Sequence, residues 1–361
     1  MGGALAGLAA GGAALAAAEI SGDSDRGGAS GLGAPYLLDR LAELPPDRAV
    51  FLALDIGGGR ASAVAGLRSL SRAAGAAGGS LEIGLALGAA YFRATGLTSR
   101  APRQLADMPP FPGDLLQEDQ CGGAVLIQVG ARTPLEARTG AQRLVAAVPQ
   151  WAVRWRVDAF RAENRMESGR ALTRNRFGYT EGLGNPVGAD EAAARALVRL
   201  GDDEPAWALG GSYQVVRHIQ FATQEWVKDS PHEQDRIIGR HRDGRWLDGT
   251  RAGEPPDFSA DPHGRLTPLD SHVRLANPRP HRNSAPALVR RSYSYVRPAG
   301  DGEASDEGLV FTCYQRSLSD GFLPVQRRLA PGALNAYTLT TGGGYYFVPP
   351  AGETWLRQLL A

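Results

Sequence analysis

Cysteine is scarce. Cys121 and Cys313 are the only two in 361 residues, which excludes a disulfide framework and the four-cysteine zinc sites. One bridge stays open on count alone, but the two fall in different halves of the chain, which favours free buried thiols. An excess of charge is lacking too: 39 Lys and Arg face 38 Asp and Glu, a formal net charge of +1, so nothing points to a nucleic-acid partner. Long apolar runs are missing except at residues 1–18 (MGGALAGLAAGGAALAAA), a stretch too short and too glycine-rich to make a spanning helix.

That first stretch is uncharged and ends in Ala16, Ala17 and Ala18. It fits the hydrophobic region and A-x-A cleavage site of an export signal, without the basic region that normally precedes them. Residues 21–35, rich in Gly, Ser and Asp, read as a flexible linker, and order is expected from near Tyr36. The rest of the chain, 43% hydrophobic overall, can bury one large core or two modest ones. The 47 glycines, with abundant alanine and arginine, reflect codon-composition bias as much as structure.

Runs of apolar residues predict strands at 49–55, 79–87 and 123–130, with a small-residue helix after the first and an amphipathic helix over 134–148. Strand, helix, strand, strand, helix, strand is the ferredoxin-like order. The second half repeats the style, with strands at 211–220, 287–295 and 309–315 and helices at 225–240 and 324–329. The fold class is therefore α+β: two ferredoxin-like halves with antiparallel sheets. A signal-like segment and linker occupy 1–35, an N-terminal domain 36–175 and a C-terminal domain 176–361.

Three chemical groups stand in distinctive surroundings: His272 in DSHVRLANPR (270–279), Arg290 in LVRRSYSY (288–295) and Glu181 in GYTEG (178–182). Residue types alone decide little. A histidine is ordinarily a polar surface or capping residue, as expected of His218, His232, His241, His263 and His281, and Glu181, flanked by Gly178 and Gly182, equally suits a turn. Along the strand at 288–295, Leu288, Arg290, Ser292 and Ser294 share one face, and Val289, Arg291, Tyr293 and Tyr295 the other. Only one of the two adjacent arginines can face a given site.

The wording around these groups is more specific. With TRN at 173–175, GYTEGLGNP at 178–186, GGSYQVVR at 210–217, IGRHR at 238–242, FLPVQRRL at 322–329 and TGGGYYFVPP at 341–350, the chain closely resembles the dye-decolourising peroxidase family, in particular its exported bacterial branch. The likeness runs over roughly residues 50 to 350. It implies the same two-half fold, with one haem b per chain in the C-terminal half, roofed by the 178–186 loop. His272 becomes the proximal iron ligand and Arg290 the distal arginine. Gly182, Leu183, Gly184, Asn277, Pro278 and Arg279 become haem contacts, Arg279 as a partner for a propionate. Arg291 is left as a structural or surface ion-pairing residue.

The implied activity is reduction of hydrogen peroxide through a ferryl intermediate, with Glu181 shuttling the proton and Arg290 stabilising the leaving oxygen, followed by oxidation of dyes or other aromatic reductants. Electrons from bulky reductants would travel through surface aromatics, drawn from the tyrosines and Trp151, Trp155, Trp207, Trp226, Trp246 and Trp355, although packing is the ordinary role of each. One departure matters. The family motif usually holds aspartate where this chain has Glu181; the extra methylene moves the carboxyl by about 1.5 Å, and misplacement of that order can cost roughly a hundredfold in rate. The exported branch also implies a twin-arginine route, with the start codon placed downstream of the true one. Haem-iron acquisition of the deferrochelatase kind, with iron-uptake partners, and haem binding with weak turnover are the alternatives, and self-association stays open.

Overall fold

The computed structural model describes residues 36–187, 191–279, 288–297, 306–352 and 354–360. The signal-like stretch and linker at 1–35, His281 and the first residue of the strand expected at 287–295 lie outside them. The N-terminal half runs β1 (Arg48–Asp55), α1 (Gly59–Ala76), β2 (Glu82–Gly88), α2 (Ala89–Thr95), β3 (Val125–Ala131), α3 (Pro134–Ala146) and β4 (Ala152–Phe160). β1 pairs antiparallel with β3 and β4, and β2 with β3, giving the order β4-β1-β3-β2. Helix α3 starts where its sequence says it should. Thr133 accepts from the Glu136 amide at 3.3 Å, the Glu136 carboxylate accepts from the Thr133 amide at 3.0 Å, and Pro134 opens the first turn.

A small sheet follows, made of β5 (Ala162–Glu167), β6 (Arg170–Arg174) and β7 (Thr180–Glu181), and then α4 (Glu191–Val198). The C-terminal half runs β8 (Ser212–Phe221), α5 (Thr223–Trp226), α6 (Pro231–Ile238), α7 (His272–Ala276), β9 (Val289–Arg290), β10 (Tyr293–Arg297), β11 (Asp306–Gln315), α8 (Phe322–Leu329), β12 (Thr338–Val348) and α9 (Thr354–Leu360). β8 lies between β12 and β11, and β11 in turn pairs with β9 and β10, so this half has the same strand order as the first. The halves do not keep separate sheets. Two short seams, β2 with β12 and β4 with β10, join them into one nine-stranded sheet, and the pairing of β10 with β11 closes eight of its strands into a barrel.

Alternation along the strands sorts the core. Val50, Leu52 and Leu54 of β1 face outward to Leu67, Leu70 and Leu144 beneath the helices, while Phe51 and Ala53 face inward with Trp155, Val216, Tyr314 and Tyr346. All six tryptophans are buried, as the packing role expected of each requires. Cys121 and Cys313 are both free thiols. No helix among the described residues is long and apolar enough to cross a membrane.

Two expected elements are corrected. The helix over 225–240 is broken into α5 and α6, because Ser230 caps a new start, accepting from the Glu233 amide at 3.2 Å, and Pro231 cannot continue the preceding turn. The strand over 287–295 is two pieces, because β9 pairs only with β11 whereas β10 also reaches β4. The two-faced pattern survives the break: Val289, Tyr293 and Tyr295 all enter the inner core.

Candidate active site

Glu181 ends β7, opposite Thr173 of β6. The turn before it is tied by Asn175, whose Oδ1 accepts from the Tyr179 amide at 3.0 Å and whose Nδ2 donates to Glu181 Oε1, also at 3.0 Å. Gly182 follows with φ 98, and a Cβ there would collide with the Ala171 carbonyl, so only glycine lets the chain turn away from β6 at this point. The chain then comes back to β9. Asn185 Nδ2 donates to the Arg290 carbonyl at 2.7 Å and Asn185 Oδ1 accepts from the Arg290 amide at 3.0 Å.

This fastening brings the expected proton-carrying acid and the expected cation together. Glu181, Gly182 and Arg290 line one cavity of about 20 Å³, closed by Arg161, Ala171, Thr173 and Ser292, room for little more than one water. Arg161 is held in its wall by bonds to the Ser292 carbonyl at 2.7 Å and Asn164 Oδ1 at 2.8 Å. Gly184 lies against the Arg290 guanidinium: a Cβ there would stand 2.8 Å from Nη2. Leu183 packs instead onto Gly244.

His272 is the first residue of α7, after Ser271, whose hydroxyl donates to the Pro268 carbonyl at 2.7 Å. Among the described residues its ring makes no hydrogen bond. Burial, and then the charges of Arg290 and Arg240, push its pKa down to about 4, so the imidazole is neutral across the physiological range. The helix is short and ends at Asn277, whose Oδ1 accepts from the Arg279 amide at 3.3 Å. Pro278 is exposed. Arg279, at φ 47, lays its guanidinium 5.7 Å from the Trp246 ring centroid, and the charge of Arg170, itself bonded to the Asn185 carbonyl at 3.1 Å, bears on it.

Five residues given no role from sequence belong here: Arg161, Asn175, Asn185, Arg240 and Ser292. Asn175, Asn185, Arg240 and Ser292 stand inside the motif segments TRN, GYTEGLGNP, IGRHR and LVRRSYSY, so the signal was present. Arg291 is not a surface residue. It is buried inside the barrel, where its Nη2 donates to both carboxylate oxygens of Glu82, at 2.8 and 2.9 Å. Among the described residues no cluster of three or more His, Cys, Asp or Glu side chains could hold a bare metal ion.

The chain as a whole is similar to known proteins. The family description "Dyp-type peroxidase, N-terminal" matches residues 46–161, and "Dyp-type peroxidase, C-terminal" matches residues 172–353. The Deferrochelatase of Shigella flexneri serotype 5b (strain 8401) is 36% identical over 324 residues, 87% of this chain and 76% of that protein. The crystal structure of a DyP-type peroxidase from Cellulomonas bogoriensis is similar at TM-score 0.78 and 31% identity, covering 88% of this chain and 95% of that one. Ferric DtpA from Streptomyces lividans follows at TM-score 0.77 and 29% identity, covering 88% and 93%.

Proposed function

The chain belongs to the Dyp-type peroxidase family, and from that premise we propose that Glu181, Arg290 and His272 are its working residues. Membership makes it an oxidoreductase of peroxide-dependent oxidation, with haem b as cofactor and dye-type small molecules as partners. The residues present fit that group. Haem iron takes a neutral imidazole with a free nitrogen, and His272 is both neutral and unbonded. Carboxylates on a porphyrin need cations, and Arg240 carries a buried Nη1 with no partner. We assign Gly182, Leu183, Gly184, Asn277, Pro278 and Arg279, with Arg290, to the haem lining, and the haem-holding role to a domain over 176–361 behind an N-terminal domain over 36–175.

Bound haem supplies a redox-active iron that accepts peroxide. The chain supplies the proton chemistry: a carboxylate to carry a proton from one peroxide oxygen to the other, and a cation for the oxygen that leaves. Glu181 serves as the carboxylate, with its Oε1 aimed by Asn175, and Arg290 as the cation, with its backbone fastened by Asn185. The observation that carries this assignment is that the two side chains share one cavity of about 20 Å³. Its size admits a molecule like peroxide and shuts out a dye, so bulky reductants deliver electrons from outside it.

Stopped-flow absorbance tests this: the haem-reconstituted protein is mixed with stoichiometric hydrogen peroxide. The expected result is a fast change in the Soret band that a dye reverses; a ferric spectrum that barely changes would sink it. A second activity, removal of iron from haem, is favoured by the 36% identity to a Deferrochelatase and brings iron-uptake proteins with it as partners. Metal-free porphyrin fluorescence after incubation with haem alone tests that activity. We further propose that the chain self-associates and that it is exported, with the small apolar stretch at 1–18 as part of its signal and the twin-arginine route taken from its resemblance to the exported branch of the family.

A further inference from the structure

The cavity that holds Glu181 and Arg290 has a second cation in its wall, Arg161. The residue follows the end of β4, and its amide donates to the Asp47 carbonyl at 2.9 Å. Two of its three guanidinium nitrogens are engaged: Nε donates to Asn164 Oδ1 at 2.8 Å and Nη1 to the Ser292 carbonyl at 2.7 Å. Asn164 is itself anchored, its Nδ2 donating to the Pro45 carbonyl at 2.7 Å and to Asp47 Oδ1 at 2.8 Å. The Tyr293 ring centroid lies 5.6 Å from the guanidinium carbon. Arg161 is therefore a charge held in one place, and among the described residues its Nη2 makes no hydrogen bond.

No carboxylate is bonded to that charge. Among the described residues the buried arginines Arg291, Arg217 and Arg274 pair with Glu82, Asp114 and Asp261, whereas Arg161, only 6% exposed, joins no ion pair. The acids that act on it from a distance are Glu181 and Asp47, against the neighbouring charge of Arg291. Around the cavity, two guanidinium groups thus face one carboxylate, which leaves one positive charge in excess. A space of about 20 Å³ gives its occupant contact with every wall, so a molecule between Glu181 and Arg290 also meets Arg161. A buried cation without a partner is costly, and an anionic occupant offsets that cost.

We propose that Arg161 is a further catalytic residue, which binds peroxide while it is the hydroperoxide anion; the assignment rests on the haem site and the roles of Glu181 and Arg290 given above. When Glu181 takes a proton from peroxide, one O–H bond breaks, another forms on the carboxylate, and the negative charge passes from Glu181 to the hydroperoxide oxygen. Glu181 then offsets neither guanidinium. Arg161 and Arg290 face the new anion together, so the charge around the cavity is unchanged by the transfer. Arg161 serves this first stage, and Arg290 serves the second, at the oxygen that leaves.

The test uses fluoride, a one-atom anion that ferric haem binds, with carbon monoxide on the ferrous form as the uncharged control. Both are titrated at fixed pH into haem-loaded wild type, Arg161→Met, Arg161→Lys and Arg290→Leu, with affinity read from the Soret band. Arg161→Met is expected to bind fluoride about tenfold or more weakly with its affinity for carbon monoxide unchanged, and Arg161→Lys to recover part of the loss. If Arg161→Met does not fold, Arg161→Gln, which keeps a donor for the Ser292 carbonyl, takes its place in the same comparison. Equal fluoride affinity in wild type and Arg161→Met would overturn the proposal, and so would equal weakening toward fluoride and carbon monoxide, the mark of a residue that only shapes the wall. Weakening in Arg290→Leu alone would overturn it while leaving the roles of Glu181 and Arg290 in place; a wild type that takes up no haem would overturn both.

Discussion

The carboxamide of Asn185 is bonded in both directions to the backbone of Arg290, donating to its carbonyl at 2.7 Å and accepting from its amide at 3.0 Å. The pair are 105 residues apart, and the contact is what fastens the loop after Glu181 to the strand that carries the cation. Truncation to Asn185→Ala removes both bonds, each with a net value of ~0.5–1.5 kcal/mol, and frees Arg290 to move relative to Glu181. Stability is expected to fall by ~1–3 kcal/mol and the peroxide reaction to slow about tenfold or more, while haem content holds. A variant with the wild-type rate constant for peroxide would show that Arg290 does not depend on this fastening.

Arg290 and Arg291 are neighbours with opposite duties. Arg290 lines the cavity, whereas Arg291 points into the barrel and is paired with Glu82, both being almost wholly buried. Removing one partner of a buried pair strands the other charge, at a cost of ~3–5 kcal/mol. Arg291→Leu is therefore expected to lower the free energy of unfolding by about that amount in equilibrium denaturation, and the double variant with Glu82→Leu to recover part of the loss. Arg290→Leu is expected to leave unfolding nearly unchanged and to slow the peroxide reaction. Equal losses of stability in the two single variants would contradict the separation of faces.

Much of the fold could be read from residue patterns because it is written locally. β1 and β3 are short apolar runs, and α3 is announced by Thr133, Pro134 and Glu136. β4 also carried a signal that the strand assignment passed over: Arg154, Arg156 and Asp158 alternate with Trp155, Val157 and Ala159, the pattern of a strand with one wet face. Closure of the barrel was not legible. Each seam rests on only two residue pairs, Tyr346 with Gly88 and Phe347 with Leu87, and Ser294 with Phe160 and Tyr295 with Ala159. No local pattern encodes which distant edge meets which.

The same division holds at the site. His272, Glu181 and Arg290 stand out through the wording of their segments, but the roles of Asn175, Asn185 and Arg240 depend on partners that only the folded chain brings near. An orphaned guanidinium nitrogen such as that of Arg240 has no sequence signature at all, since every arginine looks alike until its partners are counted.

Two histidines are held neutral, and acid should expose this. Burial first, and then the neighbouring arginines, lower His272 from about 6.5 to about 4, and burial and Arg297 lower His218 to about 3. In the unfolded chain both bind protons near pH 6.5, so between that value and the folded ones the unfolded state holds more protons than the native state. The stability linked to the two groups is complete above about pH 6.5 and is lost as the pH falls toward 4 and then 3. Apo protein in chemical denaturation is expected to weaken steadily over that window, and His272→Gln to weaken less. A flat profile from pH 7 to pH 4 would mean that neither imidazole is protected in the fold.

Glu181 stands where the family motif usually has aspartate, and its setting argues that the site is built around the longer acid. Asn175 holds the Glu181 carboxylate at 3.0 Å while its own oxygen is committed to the Tyr179 amide, so the donor cannot follow a carboxylate that retreats. Shortening the side chain by one methylene, about 1.5 Å, withdraws the acid from Asn175 and from the cavity it shares with Arg290. Glu181→Asp is therefore expected to react with peroxide about ten- to a hundredfold more slowly at unchanged haem content, and Asn175→Ala to slow wild type while adding little to the Glu181→Asp defect, because the two changes break the same contact. A faster reaction in Glu181→Asp would show instead that glutamate is a misplaced acid and that its bond to Asn175 holds it away from peroxide.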